Sequence, residues 1–185
     1  AFAAGCEVPP RQVHAVGASG DDSCTSLIMP AWSRPGSEAA HYGVKIVNIA
    51  PGNAQRGLPR LHASYLLFDA WTGVPLACID GSVLTTRRTA AASALAASFL
   101  ARTDARRLLL VGAGAVARVL PDAYRTVRPI EQVTVWARAP DKANALAEAL
   151  RADGFDAAAK SDLAAAVAQA DIVSCATLAT EPLVQ

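Results

Sequence analysis

The stretch from Leu108 to Ala117 constrains the fold of this chain more than any other part of the sequence. Leu108 to Val111 form an uninterrupted apolar run, which predicts a strand buried on both faces of a parallel sheet. The run continues directly into a G-x-G-x-x-A turn, Gly112 to Ala117, of the kind that begins a helix in dinucleotide-binding folds. The apolar strand before the glycines favours nucleotide binding over the alternative, a glycine-containing turn between any strand and any helix.

Each small residue in this turn has a predicted role. Gly112 permits the tight turn from strand to helix, Gly114 lets the backbone approach a pyrophosphate, and Ala117 lets the helix pack closely against the strand. The helix N-terminus then presents unpaired N–H groups and a partial positive charge to the phosphates. The turn therefore predicts that the chain binds a dinucleotide.

Strands and helices alternate from this turn onward. Strands are predicted at 108–112, 133–136, 155–159 and 171–177, and helices at 115–127, 142–152 and 162–167, the last capped by Asp162. Alternation of this kind predicts a parallel sheet with right-handed crossovers, that is, a Rossmann-type α/β domain.

The sequence before the turn has a different pattern. Apolar or alternating runs at 44–49, 64–68 and 74–79 are separated by loops rich in Gly and Pro, which predicts an antiparallel β region over residues 1–80. Thr85 or Thr86 is a suitable cap for an Ala-rich helix that runs to about Arg102. We therefore expect two domains, an α+β domain over residues 1–102 and a Rossmann domain over residues 103–185.

Composition excludes several classes of function. The 185 residues carry a net charge of +1, which gives no reason to expect nucleic acid or an anionic membrane as a partner. The four cysteines and three histidines are scattered, so neither a metal site nor a disulfide framework is expected. No apolar run is long enough to span a bilayer. These features predict a cytoplasmic protein.

The residue after the second strand of a Rossmann sheet selects between NAD and NADP. NAD-binding proteins have an Asp or Glu there that bonds the 2′-OH of the adenosine ribose, whereas this chain has Trp136-Ala137-Arg138. A guanidinium can pair with a 2′-phosphate through two parallel hydrogen bonds. Arg138 therefore favours NADP over NAD, and its alternative interpretation is a solvated surface arginine.

The segment Leu84-Thr85-Thr86-Arg87-Arg88-Thr89-Ala90-Ala91-Ala92-Ser93 closely resembles the L-T-x-x-R-T-A-A-x-S helix start of the ornithine cyclodeaminase / mu-crystallin family. Other matching stretches occur in the expected order. They are the G-V-K strand at 43–48, the hairpin at 65–76, the glycine turn, and Asp171-Ile172-Val173 followed by Thr177. The resemblance covers nearly all of residues 9–185.

The resemblance implies that the β-rich domain binds an amino-acid or imino-acid substrate and forms a homodimer, and that the Rossmann domain holds NADP(H) or NAD(H). It implies that Arg88 contacts both the substrate carboxylate and the cofactor, that Lys45 lies beside the substrate, and that Arg11 pairs with the carboxylate. Lys45 and Arg88 are then the catalytic residues. The cofactor contacts that it implies are Arg88, Thr89, Gly112, Gly114, Ala115, Val116, Arg138 and Thr177.

The chemistry of these side chains is consistent with such roles. Clamping the carboxylate of an α-amino or imino acid directs its Cα toward the nicotinamide, and Arg is the suitable fork. Lys45 beside the reacting nitrogen can polarise an imine or relay a proton. Simpler interpretations remain for each: Arg88 as a solvent-facing charge, Lys45 as a side chain extended to a sheet edge, and Thr89 as a helix-packing residue. Arg11 rests on a short local match.

Some positions depart from the family pattern. Arg60 stands where cyclodeaminases often have Thr, and Val116 stands where Gln is usual. The sequence begins without an initiator Met and stops at Gln185, before the segment that would carry the family's proton-transferring Asp. We therefore expect a longer natural protein, and three functions stay open. They are an ornithine cyclodeaminase, an NADP-linked imine reductase or amino-acid dehydrogenase, and a non-catalytic binder of NADPH and a carboxylate ligand.

Overall fold

The computed structural model describes residues 5–17, 23–34, 36, 40–177, 179 and 181–184. The chain divides into two compact units, Ala1–Thr85 and Thr86–Gln185, here called unit 1 and unit 2.

Unit 1 is a mixed-length antiparallel sheet, which confirms the predicted β region. Its strands in the described residues are β1 Cys6–Glu7, β2 Gln12–Gly17, β3 Ser23–Ser33, β4 His41–Ile49, β5 Leu61–Asp69 and β6 Pro75–Asp80. They follow the order β1-β3-β4-β5-β6, and β2 also pairs with β3. A 3-10 helix, Pro51–Arg56, lies between β4 and β5.

The β5–β6 hairpin is closed by the carboxylate of Asp69. Its Oδ1 accepts hydrogen bonds from the backbone N–H of Trp71 at 2.9 Å and of Thr72 at 2.8 Å, and from the Thr72 hydroxyl. These bonds lower the pKa of Asp69, with the Thr72 N–H as the main cause. Gly73 follows with φ +73°, which suits the left-handed position of a tight turn.

Helix α1 spans Gly81–Leu100 and begins about one turn before the predicted cap. Asp80 caps it, since its Oδ1 accepts hydrogen bonds from the backbone N–H of Ser82 at 2.8 Å and of Val83 at 3.1 Å. The prediction of Thr85 or Thr86 as the cap is therefore wrong. The carboxylate at the end of β6 already supplies the acceptor that a helix start favours.

Unit 2 contains the predicted parallel sheet. Its strands are β7 Arg107–Val111, β8 Gln132–Trp136, β9 Asp156–Ala159 and β10 Ile172–Cys175, in the order β10-β7-β8-β9. Its further helices are α2 Ala115–Arg125, α3 Pro140–Ala152 and α4 Leu163–Gln169. Asp162 caps α4 by accepting a hydrogen bond from Ala165 N at 3.0 Å, as the sequence predicts.

Strand β7 is the centre of the core of unit 2. All four residues of Leu108–Val111 are at most 1% exposed. Leu108 and Leu110 join a cluster with Leu120 and Leu150, and Leu109 and Val111 join a second cluster with Ala166. Because successive side chains of a strand point to opposite faces, both faces of β7 are covered, which confirms the interpretation of the apolar run.

The division between the units falls within α1, whereas the sequence places the boundary between residues 102 and 103. Ala90 and Ala97 of α1 are buried in the core cluster of unit 2. Small side chains that the sequence assigns to the first domain therefore pack with the second unit. The division of the chain into a substrate domain and a cofactor domain stays a prediction.

Candidate functional site

The glycine turn joins β7 to α2 in a conformation that requires glycine at Gly112. Its φ is +124°, a value that residues with a side chain rarely adopt. A Cβ there would overlap the carbonyl oxygen of Ala176, the residue after β10. Gly112 therefore lets two neighbouring parallel strands, β7 and β10, end close together.

Gly114 meets open space instead. It is the N-cap of α2, no side chain caps this helix, and a Cβ on Gly114 would have no heavy atom within 4 Å. The first bond of the helix runs from Arg118 N to Gly114 O at 3.1 Å, so the N–H groups of the first turn are oriented outward. An exposed helix start with open space at its glycine fits the phosphates of a dinucleotide.

Ala115 and Val116 differ in what they offer at this helix start. Ala115 is exposed, whereas the Val116 side chain packs against the core cluster. Val116 therefore contributes its backbone N–H to the opening. Its side chain supports the core.

Thr177 lies at the same edge of the sheet as the glycine turn. Ala176 N donates to Val111 O at 2.9 Å, which extends the β10–β7 pairing by one residue beyond the strand. A Cβ on Gly112 would be 3.4 Å from Thr177 N. The Thr177 hydroxyl accepts a hydrogen bond from Ala179 N at 3.2 Å. The structure thus brings together Gly112 and Thr177, which are far apart in sequence.

Arg138 lies where the adenosine ribose of a dinucleotide is expected, after the second strand of unit 2. Gly112 N donates to Trp136 O at 2.8 Å, so the end of β8 is bonded directly to the glycine turn. Arg138 is exposed and lines a cavity of about 340 Å³. The other residues that line this cavity are Trp136, Ala137, Pro140, Ala143, Asn144, Ala159, Lys160 and Ser161.

Arg88 and Thr89 lie on α1, at the start of unit 2. Arg88 is exposed and Thr89 is half-buried. The Thr89 carbonyl accepts a hydrogen bond from the Ser93 hydroxyl at 3.1 Å, so Ser93 is satisfied within the helix. The guanidinium of Arg88 is accessible to an anionic ligand.

Lys45 lies in the middle of β4, between Met29 of β3 and Tyr65 of β5. It is half-buried, and by strand alternation it shares a face of the sheet with the buried residues Gly43 and Val47. A Cβ on Gly43 would overlap the Tyr65 hydroxyl, so the ring of Tyr65 lies over Gly43. Lys45 therefore projects from the interior of a sheet beside a phenol, unlike a lysine at a strand end.

Arg11 lies directly before β2 and is exposed. In unit 1 it lies outside the strands, whereas Lys45 is in β4, and in unit 2 Arg88 is on a helix. Their joint role at one substrate stays a prediction.

The opposite, amino-terminal edge of the parallel sheet is fixed by Asp171. Its side chain is 6% exposed. It accepts hydrogen bonds from the backbone N–H of Arg106 at 3.0 Å and of Arg107 at 2.9 Å, and from the guanidiniums of Arg107 and Arg102. The Arg107 guanidinium, with these N–H groups, holds the pKa of Asp171 well below its usual range. Asp171 therefore aligns β10 with β7, and so positions their carboxyl ends.

Among the described residues, no His, Cys, Asp and Glu side chains form a group of three or more that could hold a metal ion. The structure also has no helix, within its described ranges, that is both long and apolar enough to cross a membrane.

A sequence profile described as the ornithine cyclodeaminase/mu-crystallin family matches residues 5–185. The chain belongs to this family. The resemblance in the R-T-A-A helix, the G-V-K strand and the glycine turn is thereby confirmed.

Relatives within the ornithine cyclodeaminase/mu-crystallin family include several reductases. A Delta(1)-pyrroline-2-carboxylate reductase of Paracoccus denitrificans is 45% identical over 181 residues, which are 97% of this chain and 56% of that protein. The structure of Thermococcus litoralis Delta(1)-pyrroline-2-carboxylate reductase in complex with NADH and L-proline has a TM-score of 0.87 and 33% identity, covering 99% of this chain and 55% of that one.

A lysine cyclodeaminase, solved for its recognition of L-lysine, L-ornithine and L-2,4-diaminobutyric acid, has a TM-score of 0.78 and 32% identity, covering 92% of this chain and 48% of that one. Reductases and a cyclodeaminase are therefore both similar to this chain. The chain spans about half the length of the curated relatives that it matches.

Lys142 and Lys160 line cavities at the carboxyl edge of the parallel sheet, and neither was predicted as a site residue. Lys142 lines a second cavity, of about 350 Å³, together with Gly114, Ala115 and Arg118. Lys160 lines the cavity that holds Arg138. The sequence carried a signal for Lys160, since it directly follows a predicted strand whose carboxyl end must lie at the same edge as the glycine turn.

Proposed function

We propose that this chain is the substrate- and cofactor-binding part of an imino-acid reductase that uses a nicotinamide dinucleotide. Its substrate would be a cyclic α-imino acid such as pyrroline-2-carboxylate, whose C=N bond is reduced to the α-amino acid. The observation that carries the proposal is the glycine turn, where Gly112 must be glycine and Gly114 meets open space. The likeness to reductases of this class supports the choice of reaction.

The donors at the glycine turn fit the pyrophosphate of a dinucleotide. The first-turn N–H groups of α2, including those of Ala115 and Val116, would bond the phosphates. Gly114 would leave room for them, and Thr177 would lie toward the nicotinamide side. When bound, the reduced cofactor supplies the hydride for reduction of an imine.

The substrate would be held by the cationic side chains. Arg88 would pair with its carboxylate in two parallel hydrogen bonds and orient the imine carbon. Arg11 would add a second cation to the same carboxylate. Lys45 would hold a proton on Nζ for the imine nitrogen, which must gain one proton as the C=N bond becomes an amine.

The preferred dinucleotide is part of the proposal. Arg138 at the end of β8, with no acid among the residues that line its cavity, supports NADP over NAD. The solved relative from Thermococcus litoralis is in complex with NADH and L-proline. The relative affinities of NADP and NAD, measured by competition for this chain and for Arg138→Asp, therefore test whether Arg138 favours NADP.

Cyclodeamination is the second candidate, because the lysine cyclodeaminase is similar over 92% of this chain. In that reaction the redox change cancels, so the cofactor would be needed only in catalytic amount. Arg138 favours the reductase, in which the dinucleotide is consumed stoichiometrically, and Arg60 stands where cyclodeaminases often have Thr.

The remaining expectations concern assembly and compartment. A homodimer is supported by the many half-exposed apolar side chains of the sheet of unit 1. A cytoplasmic location is supported by the state of Cys6, Cys24, Cys78 and Cys175, which are all free thiols.

The test of the function measures turnover by the full chain. We expect loss of the reduced-nicotinamide absorbance with NADPH and pyrroline-2-carboxylate, and no ammonia from ornithine or lysine with trace NAD. Ammonia release without net change in absorbance would replace the reductase with a cyclodeaminase. Binding of NADPH without either signal would indicate the non-catalytic binder.

The role of Arg88 is tested by Arg88→Ala with its neighbour Arg87→Ala as the matched control. Both arginines are exposed on α1, so neither change should unfold the chain. We expect Arg88→Ala to lower kcat/KM by at least a hundredfold, since an oriented carboxylate clamp is lost, and Arg87→Ala to leave it nearly unchanged. Equal activities of the two variants would refute the assignment.

A further inference from the structure

We propose that Lys160 is a second cation, with Arg138, for the 2′-phosphate of NADP(H), and that it helps to set the preference for NADP over NAD. This inference rests on the proposed function, because it concerns the adenosine end of the same cofactor site. Lys160, which directly follows β9, would thereby act as a specificity-determining residue.

The register of the sheet places Lys160 at the correct edge. β8 and β9 are parallel neighbours, and Val135 is the partner of Ala159. The next residue, Lys160, donates its backbone N–H to Val135 O at 3.0 Å. Lys160 therefore leaves the sheet at the carboxyl end of β8, the same end at which the chain continues to Arg138.

The segment that carries Lys160 is held against β8. The indole Nε1 of Trp136 donates to the carbonyl oxygen of Ser161 at 2.9 Å. This bond joins the residue after Lys160 to a residue two positions before Arg138. The backbones that carry the two cations are thus cross-linked by hydrogen bonds on both sides of Lys160.

Both cations line one cavity of about 340 Å³. Its lining also includes the side-chain donors Asn144 and Ser161, and none of the residues that line it, all in the described part of the chain, carries a carboxylate. The neighbouring Asp162 carboxylate accepts the capping hydrogen bond from Ala165 N at 3.0 Å, and Asp141 lies in the first turn of α3 outside the lining. The cavity is complementary to an anion with several acceptor oxygens.

Two positive charges would discriminate between NADP and NAD more strongly than a single charge. A phosphate dianion is neutralised by two cations, whereas a ribose hydroxyl gains little from either. Removing Lys160 should therefore weaken nucleotides that carry a 2′-phosphate and leave those without it unchanged. This signature separates a phosphate-binding residue from one that merely supports the fold.

The test is equilibrium binding of 2′,5′-ADP and 5′-AMP, which differ in the 2′-phosphate, to the full chain by calorimetry. We expect the wild-type protein to prefer 2′,5′-ADP. Lys160→Ala should reduce that preference about tenfold, which corresponds to one lost charge-assisted contact, with 5′-AMP affinity retained. Arg56→Ala, which removes one charge from unit 1, is the control for net charge and should leave the preference unchanged.

The other outcomes each overturn a defined statement. An unchanged preference in Lys160→Ala, together with a reduced one in Arg138→Ala, would refute the role of Lys160 and leave the cofactor site intact. Equal wild-type affinity for the two probes would refute 2′-phosphate recognition by both residues. If the wild-type protein bound neither probe nor NADH, the proposed function itself would fail.

Discussion

The two units of this chain bury their sheets to very different degrees. In unit 2 residues Leu108–Val111 of β7 are each at most 1% exposed. In unit 1 Val47, at 4%, is the one large aliphatic side chain of the described residues that is buried, and Ile28, Val44 and Leu66 stay half-exposed. A parallel sheet must be covered on both faces by its own crossover helices. The antiparallel sheet of unit 1 has apolar surface left to bury elsewhere.

The difference indicates how the two units support a site. Unit 2 fixes its glycine turn by a core that is complete within its own elements. Unit 1 carries Lys45 on a sheet whose faces are still partly open. The carboxyl edge of the parallel sheet, where the glycine turn Gly112–Ala117 lies, is here called the nucleotide edge. We expect its stability to depend on local packing within unit 2. The stability of the region around Lys45 should depend on association with other surfaces.

The largest expected effect comes from truncating matched leucines in the two units. Leu110→Ala should lower the free energy of unfolding by about 3 kcal/mol, because it leaves a cavity in a closed core. Leu66→Ala should cost about 1 kcal/mol, since this side chain is half-exposed before truncation. Urea denaturation followed by circular dichroism measures both. Similar losses would contradict the contrast between the units.

The two glycines of the turn should separate fold from ligand binding. Gly112→Ala should lower the free energy of unfolding by about 2–3 kcal/mol, because φ is positive and Ala176 occupies the space of a Cβ. Gly114→Ala should change stability by less than about 0.5 kcal/mol yet weaken dinucleotide binding at least tenfold. Denaturation and calorimetry on both variants provide the comparison. Retained nucleotide affinity in Gly114→Ala would show that its open space is not used by a ligand.

Matched aspartates in the two units should respond differently to acid. The folded pKa of Asp171 is lowered, so its contribution to stability is present above the unfolded value of about 3.9. It is lost as the pH falls toward the folded pKa. Asp171→Asn should cost about 2 kcal/mol at neutral pH and flatten the acid limb of the stability profile. Urea denaturation at a series of pH values measures both effects. Asp69→Asn, at the exposed hairpin of unit 1, should have a smaller effect on the free energy of unfolding at neutral pH and on its decrease in acid.

Replacing Arg128 should lower the free energy of unfolding modestly, because its guanidinium caps the end of α1. Its half-buried guanidinium donates to the carbonyls of Ser98 and Ala101 at 2.8 Å, acceptors that helix ends leave unpaired. Arg128→Met should lower the free energy of unfolding by about 1 kcal/mol, with Arg87→Met, an exposed arginine on α1, as the neutral control. Thermal unfolding of the two variants tests this, and equal melting temperatures would refute the capping role.

Much of unit 2 could be predicted from the sequence because its signals are local. An apolar run, a G-x-G turn and helical periodicity fixed the order of elements, and the strand and helix ends moved by a few residues at most. Asp162 is recognisable as a cap from the sequence because a short helix follows it directly. The family resemblance was carried by equally local motifs around Arg88 and Lys45.

The parts that could not be predicted depend on neighbours that are distant in sequence. β3 extends over Ser23–Ser33, although only a short apolar run at 27–29 stands out, because pairing with β2 and β4 stabilises its polar ends. α1 begins at Gly81 because Asp80, the last residue of β6, accepts hydrogen bonds from the first N–H groups of the helix. The proposed role of Lys160 can be inferred only from the register of β9 with β8, which places Lys160 and Arg138 at one cavity.

The strand order of unit 2 also has a consequence for how its nucleotide edge forms. The pairing of β8 with β7 closes a short crossover, but Asp171 and Arg107 are separated by 64 residues. Closing a longer loop costs more chain entropy and slows formation of the contact. β10 should therefore join the sheet late, after β7, β8 and β9 have assembled. Gly112 and Ala176 then come together in the last step, so nucleotide binding would report complete folding of this unit.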